Sequence, residues 1–194
     1  MVSDNYDEKE YWSNRVKNYG FINTTATTLN TSDSQYIEPH IFKGAKVLDY
    51  GAGDGKLIQL FQQYKCIVTC IDIIPEFKQL FKQRYDEQKY TFQYEYIIID
   101  PYKEYKSTKA PYDLVVSLAV FMHVRPDYID WAINELKRLA GKDGKVMINN
   151  YENREVRYIP PSYNFNHDYL QILKRNGIEV KEDIYNNNIS FIRY

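Results

Sequence analysis

The stretch Val47-Leu48-Asp49-Tyr50-Gly51-Ala52-Gly53-Asp54-Gly55-Lys56 decides how the rest of the 194-residue chain is read. The run from Ala45 to Tyr50 is short and mostly apolar, the signature of a buried strand. Glycines come next at alternate positions, and then Leu57, Leu60, Phe61 and Tyr64 recur with the spacing of one helix face. A strand, a glycine turn and a helix start in that order form a cradle for a polar ligand. Glycine lets the backbone adopt positive φ and lets a ligand approach where a Cβ would otherwise stand. The first helical N–H groups supply donors and a partial positive charge.

The glycine spacing narrows the ligand class. A dinucleotide fingerprint, Gly-x-Gly-x-x-Gly, would place its third glycine at position 56, which is Lys56; here it is Gly55. Gly-x-Gly-x-Gly led by Asp49 resembles motif I of the class I S-adenosylmethionine (SAM) methyltransferases. That resemblance implies an α/β, Rossmann-like fold: a mostly parallel seven-stranded sheet, closed by a C-terminal antiparallel hairpin, with helices on both faces. It also implies SAM as cofactor and S-adenosylhomocysteine (SAH) as product. Asp49, Gly51, Gly53 and Gly55 would then hold the amino-acid end of SAM.

The later segments fit the same frame. Cys66 to Ile71 reads as the second strand, ending in Asp72, about one βαβ unit after Asp49. A carboxylate there can accept charge-assisted bonds from both ribose hydroxyls, although Pro75 opens a helix close by and an N-cap role is the alternative. By resemblance, Ile73 packs on the adenine. Phe92 to Ile99 reads as the third strand, closed by Asp100 and Pro101; in the family an acid here bonds the adenine amino group, which makes Asp100 the candidate, with a turn carboxylate before Pro101 as the alternative. Tyr112 to Ala119 is the fourth strand. The segment from Asp113 through Ser117 to His123 resembles the Asp-x-Val…His segment of small-molecule methyltransferases, so Ser117, Leu118 and His123 are expected at the cleft. An imidazole with its ordinary pKa of about 6.5 suits a general base, and local hydrogen bonding alone is the other reading of His123.

Upstream, a helix ending near Gly20 carries Tyr11, Trp12, Arg15 and Tyr19, which by resemblance cover SAM or substrate; a plain docked helix is the alternative. Thr24 to Ser34 is Thr/Ser/Asn-rich and reads as a loop. Residues 1–44 are thus expected to form an N-terminal cap and 45–194 the SAM-binding core of a single domain. Downstream, Asp127 is placed to cap or charge-stabilise a helix with Ile129, Ala132, Ile133 and Leu136 on its inner face. Lys145 to Tyr151 is a fifth strand, Asn149 to Phe165 the substrate-facing segment, and 178–185 with 189–194 a closing hairpin.

Composition limits the partners. Twenty-five basic and 26 acidic residues nearly cancel, which does not mark a nucleic-acid binder. No run of about 18 apolar residues exists, so no membrane partner is expected. The first ten residues are polar and acidic, unlike a signal peptide. Cys66 and Cys70 share one strand at roughly 13 Å, too far for a disulfide, which fits a reducing cytoplasm. His40, His123 and His167 lack metal-ligand spacing, so no metal is expected. With these limits, the family resemblance implies methyl transfer from SAM to an oxygen or nitrogen of a small molecule. RNA or a protein side chain is the alternative substrate, with Lys103, Lys106 and Lys109 near the rim; a SAM-binding subunit without catalysis is a further one.

Overall fold

The computed structural model describes residues 7–19, 31–85, 93–151, 165, 167–178, 180–185 and 188–193. In chain order these form α1 (Glu8–Tyr19), α2 (Thr31–Ile37), β1 (Lys46–Tyr50), α3 (Ile58–Gln63), β2 (Ile67–Asp72), α4 (Pro75–Arg84) and β3 (Tyr94–Ile98). They continue with β4 (Leu114–Leu118), α5 (Ile129–Ala140), β5 (Lys145–Tyr151), α6 (Tyr169–Arg175), β6 (Val180–Tyr185) and β7 (Asn188–Arg193). The strands make one seven-stranded sheet in the order β3-β2-β1-β4-β5-β7-β6. Strands β1 to β5 pair parallel, whereas β7 lies antiparallel to both β5 and β6.

Strand periodicity divides the core into two layers. On β1, Val47 faces the layer containing α3 and α4, while Leu48 faces the layer containing α5 and α6. Asp49 pairs with Cys70, so Asp72, two residues further along β2, emerges on the same face as Asp49. The amphipathic pattern of α5 is realised directly: Ile129, Ala132, Ile133, Leu136 and Leu139 are all buried. On the opposite face, Val16 of α1 and Ile37 of α2 join Val47, Val68, Phe61 and Phe81 in one apolar cluster.

Two local expectations need correction. The polar stretch read as a loop to Ser34 turns helical at Thr31, because Ser, Thr and Asp are as much helix-starting residues as loop residues. Of the two roles expected of Asp127 at α5, capping is not taken: it receives a two-pronged ion pair from Arg125, at 2.9 and 3.2 Å, and Tyr128 holds the N-cap position without a side-chain bond. Residues 152–164, most of the segment expected to face substrate, lie outside the described residues.

Candidate active site

The strand order reverses between β1 and β4, and in an open parallel sheet that is where a crevice forms beyond the carboxyl ends. A cavity of about 510 Å³ lies there. It runs over the strand ends from the α1 and α4 side (Trp12, Arg15, Phe77) to the α5 side (Trp131, Ala132). The glycine turn forms its floor. Gly51 has φ +77°, and a Cβ there would stand 2.3 Å from Val120, so the turn after β4 can close down on β1 only over a glycine.

Asp72 organises the turn. One carboxylate oxygen accepts from the Gly53 N–H at 2.9 Å and the other from its neighbour Ile73 N–H at 2.7 Å. Burial pushes its pKa up to about 6, against the lowering effect of bonds from the Gly53, Ile73 and Ile74 amides. Asp49, 3 % exposed, is pushed to about 7 by burial first and by the Asp72 charge second, with Lys56 opposing. Burial raises both carboxyls and the Asp72 charge adds to the rise at Asp49, so a cation in the cavity would favour their ionised forms.

Helix α1 closes one side. Glu8, Trp12 and Arg15, spaced at i, i+4 and i+7, line the cavity together. Trp12 meets the His123 ring edge-on at 4.8 Å between centroids and leans on Phe77 at 6.1 Å. The helix is held by Ser13 Oγ donating to Glu76 at 3.2 Å, Lys17 pairing with Glu76 at 3.2 Å and Lys9 pairing with Asp100 at 2.7 Å. His123 itself ends a 3₁₀ turn, Phe121–His123, that lies just beyond β4.

Of the residues singled out in the sequence, Asp49, Gly51, Gly53, Asp72, Ile73, Pro101, Leu118, Trp12, Arg15 and His123 line this cavity. Four are placed elsewhere. Gly55 is a packing position: a Cβ would stand 2.6 Å from the Phe81 ring. Ser117 is fully buried and donates to the Tyr50 carbonyl at 3.1 Å, fastening β4 to β1 below the crevice. Asp100 is an exposed side chain between Lys9 and Lys103, and those two partners lower its pKa to about 2. Tyr11, one residue round the helix from Trp12, packs edge-on against that indole at 5.3 Å and accepts from Arg15 at 3.4 Å. Tyr19 closes α1, and its side chain lies outside the described residues.

A methyltransferase domain family matches residues 48–148, just over half of the 194-residue chain. The chain belongs to the class I SAM-dependent methyltransferases. No curated protein matches it. Solved structures share its fold at low identity. A TehB-like SAM-dependent methyltransferase from Corynebacterium glutamicum superposes with TM-score 0.67 at 20 % identity, covering 95 % of this chain and 96 % of the other. Magnesium protoporphyrin IX methyltransferase from Synechocystis PCC 6803, with bound SAM, gives TM-score 0.69 at 18 % identity, covering 99 % and 98 %. The 1,6-didemethyltoxoflavin-N1-methyltransferase from Burkholderia thailandensis, with bound 1,6-didemethyltoxoflavin and SAH, gives 0.68 at 18 %, covering 99 % and 92 %.

The cavity of this methyltransferase fits SAM by its own chemistry. SAM is a sulfonium cation with an ammonium group, and the Asp49–Asp72 pair offers buried negative charge beside a turn that admits no Cβ at Gly51. Sequence reasoning passed over several lining residues. Glu8 reaches the cavity wall, where Tyr102 O–H donates to its carboxylate and burial raises its pKa. Tyr102 stacks on Tyr128 at 3.9 Å and meets Trp131 edge-on at 6.2 Å. Tyr102 and Ala119 both take positive φ, +58° and +56°, at the ends of β3 and β4. Such backbone costs of order 1–3 kcal/mol for a side-chain-bearing residue and clusters at functional sites. No glycine marks either position, so no sequence signal pointed there.

Proposed function

We propose that the protein transfers the SAM methyl group to an oxygen or nitrogen of a small molecule within this cavity. The observation that carries the reading is the roof: Trp12 of α1 packs edge-on against His123 over a cavity of about 510 Å³, a size that suits a compact acceptor beside the cofactor rather than a polymer. When bound, SAM supplies a methyl group already activated on positively charged sulfur. The chain's task is then to align the acceptor, exclude water and accept a proton. Proximity and orientation of that kind can contribute roughly 7–11 kcal/mol.

In this reading Asp72 binds the ribose with the oxygen lone pairs left over from Gly53 and Ile73, and Asp49 faces the ammonium end. Ile73 and Pro101 flank the adenine, and Leu118 borders the reacting centre. Arg15, whose guanidinium lies 5.8 Å from the Trp12 ring centre, meets a carboxylate of cofactor or acceptor. His123 takes the acceptor proton. Residues 1–44 act as a cap over the 45–194 core. Two of the lysines that would serve a nucleic-acid substrate are already engaged, Lys103 with Asp100 at 2.9 Å and Lys109 with Glu95 at 2.8 Å, which favours the small molecule. No helix of the described residues is long and apolar enough to cross a membrane, and Cys66 and Cys70 are free and buried, in keeping with a reducing compartment.

The test is methyl transfer from labelled SAM into an extract of the source cell, fractionated by size. Label in the small-molecule fraction is the expected result. Label that stays large until nuclease or protease is added would replace the reading with a macromolecular substrate.

A further inference from the structure

The glycine turn is held from below as well as by Asp72. Tyr96 of β3 donates its O–H to the Gly53 carbonyl at 2.6 Å. Tyr85, the residue after α4, donates to the Gly55 carbonyl at 2.8 Å. Between them Asp54, 2 % exposed, pairs with Arg84 at 2.5 Å. Each residue of the Gly53-Asp54-Gly55 turn therefore has its own long-range polar anchor, and all three anchors come from the α4 end and β3. For Gly53 both backbone groups are fixed, N–H by Asp72 and C=O by Tyr96. The tyrosine rings are themselves set by one residue: Phe81 lies 5.0 Å from the Tyr85 ring and 5.0 Å from the Tyr96 ring.

We propose that Arg84, Tyr85 and Tyr96 are positioning residues for cofactor binding: a clamp that fixes the height and tilt of the glycine turn before SAM arrives. The physical case rests on what glycine costs. Positive φ at Gly51, Gly53 and Gly55 (+77°, +55° and +88°) gives the turn the shape a ligand needs, but glycine is also the residue with the most freedom to leave that shape. Affinity then depends on an external restraint, because ordering the turn on binding would subtract from it. The two phenol hydroxyls and the guanidinium supply that restraint without touching the ligand space: none of the three residues lines the cavity. The inference rests on the placement of the cofactor on the glycine turn proposed above.

The experiment titrates SAH, by calorimetry well below the melting temperature, into the full chain and into Tyr85→Phe, Tyr96→Phe, the double variant and Tyr112→Phe. Each Phe removes one hydroxyl and keeps its ring. Tyr112 is the control, since its hydroxyl bonds Ser107 at 2.6 Å outside the cavity. Each clamp variant is expected to lose about 3- to 5-fold in SAH affinity and the double variant about 10- to 30-fold, from hydrogen bonds of ordinary strength. Amide exchange over residues 51–57 should quicken in the ligand-free double variant. Tyr112→Phe should lower the melting temperature by a similar amount and leave SAH affinity unchanged. Should the double variant melt too low, the singles and the pair Arg84→Ala and Arg84→Lys carry the comparison, with Lys keeping most of the affinity. A folded double variant that binds SAH within twofold of the parent overturns the clamp. A parent chain that binds no SAH overturns the cofactor placement as well.

Discussion

Asp72 is the last residue of β2 and Asp100 follows the end of the neighbouring β3 by two residues, and the two aspartates have opposite fates. Asp72 is 7 % exposed and spends its oxygens on the Gly53 and Ile73 amides. Asp100 lies two residues past Ile98, the register partner of Asp72, yet its side chain is 52 % exposed and bound by Lys9 and Lys103. The difference comes from the path the chain takes beyond each strand. After Asp72 the chain goes straight into α4 at Pro75, leaving the carboxylate over the glycine turn. After Asp100 it folds back through Pro101 and Tyr102, whose positive φ turns the phenol onto Glu8 and Tyr128 and puts the aromatic ring, rather than the acid, at the cavity wall. An acid at a strand end stays beside the glycine turn only where the next turn keeps it under cover.

That contrast can be broken most directly at Asp72. Asp72→Ala should weaken SAH binding by about 10- to 100-fold, through lost charge-assisted bonds and a loosened Gly53 amide. Calorimetry that finds unchanged affinity would remove Asp72 from the site.

The next largest effect is that of pH. Asp49 and Asp72 have pKa values raised to about 7 and about 6, and a cation binds their ionised forms. SAM affinity should therefore drop by at least about tenfold as pH falls from about 8 to about 5. The ligand-free protein should respond in the opposite sense. A carboxyl whose folded pKa lies above its unfolded value adds stability that is fully present below the unfolded value and is lost as pH rises through the folded one. Asp49 and Asp72 should accordingly contribute several degrees less to the melting temperature at about pH 7 than at about pH 4, read as the difference between the parent and Asp49→Asn. Asp49→Asn should flatten both profiles; profiles that stay as steep would assign the titration elsewhere.

Smaller effects belong to the wall. Trp12→Ala removes the ring that meets His123 and Phe77, and should weaken SAH by about 3- to 10-fold. His123→Ala, by contrast, should lower kcat and leave SAH affinity within twofold; a loss of SAH affinity instead would make His123 a binding residue. Smallest of all is Asp100→Ala, expected to change SAH affinity by less than about twofold because a surface ion pair contributes little. A tenfold loss would mean that the carboxylate swings inward when ligand binds, and the contrast between the two strand ends would collapse.

The sequence carried the signals that are local. Gly51, Gly53 and Gly55 after an apolar run, Asp72 one βαβ unit later, and the period-3.6 face of α5 each arise from spacing along a few turns of chain, so the cavity floor and the buried face of α5 were readable from them, while the seven-stranded sheet was expected from the family resemblance. The features that the fold alone decided depend on residues brought together from distant segments. Glu8 meets Tyr102 across 94 positions, and Tyr96 reaches Gly53 across 43. Ser117 and Gly55 sit within the family motifs but are spent on packing the strands and the turn, and Asp100, just past β3, is bound on the outside by Lys9 of the distant α1. A motif fixes which backbone passes the site. Which side chain finally faces the ligand is set by long-range competition for burial, hydrogen bonds and counter-charge, and that competition has no period to read.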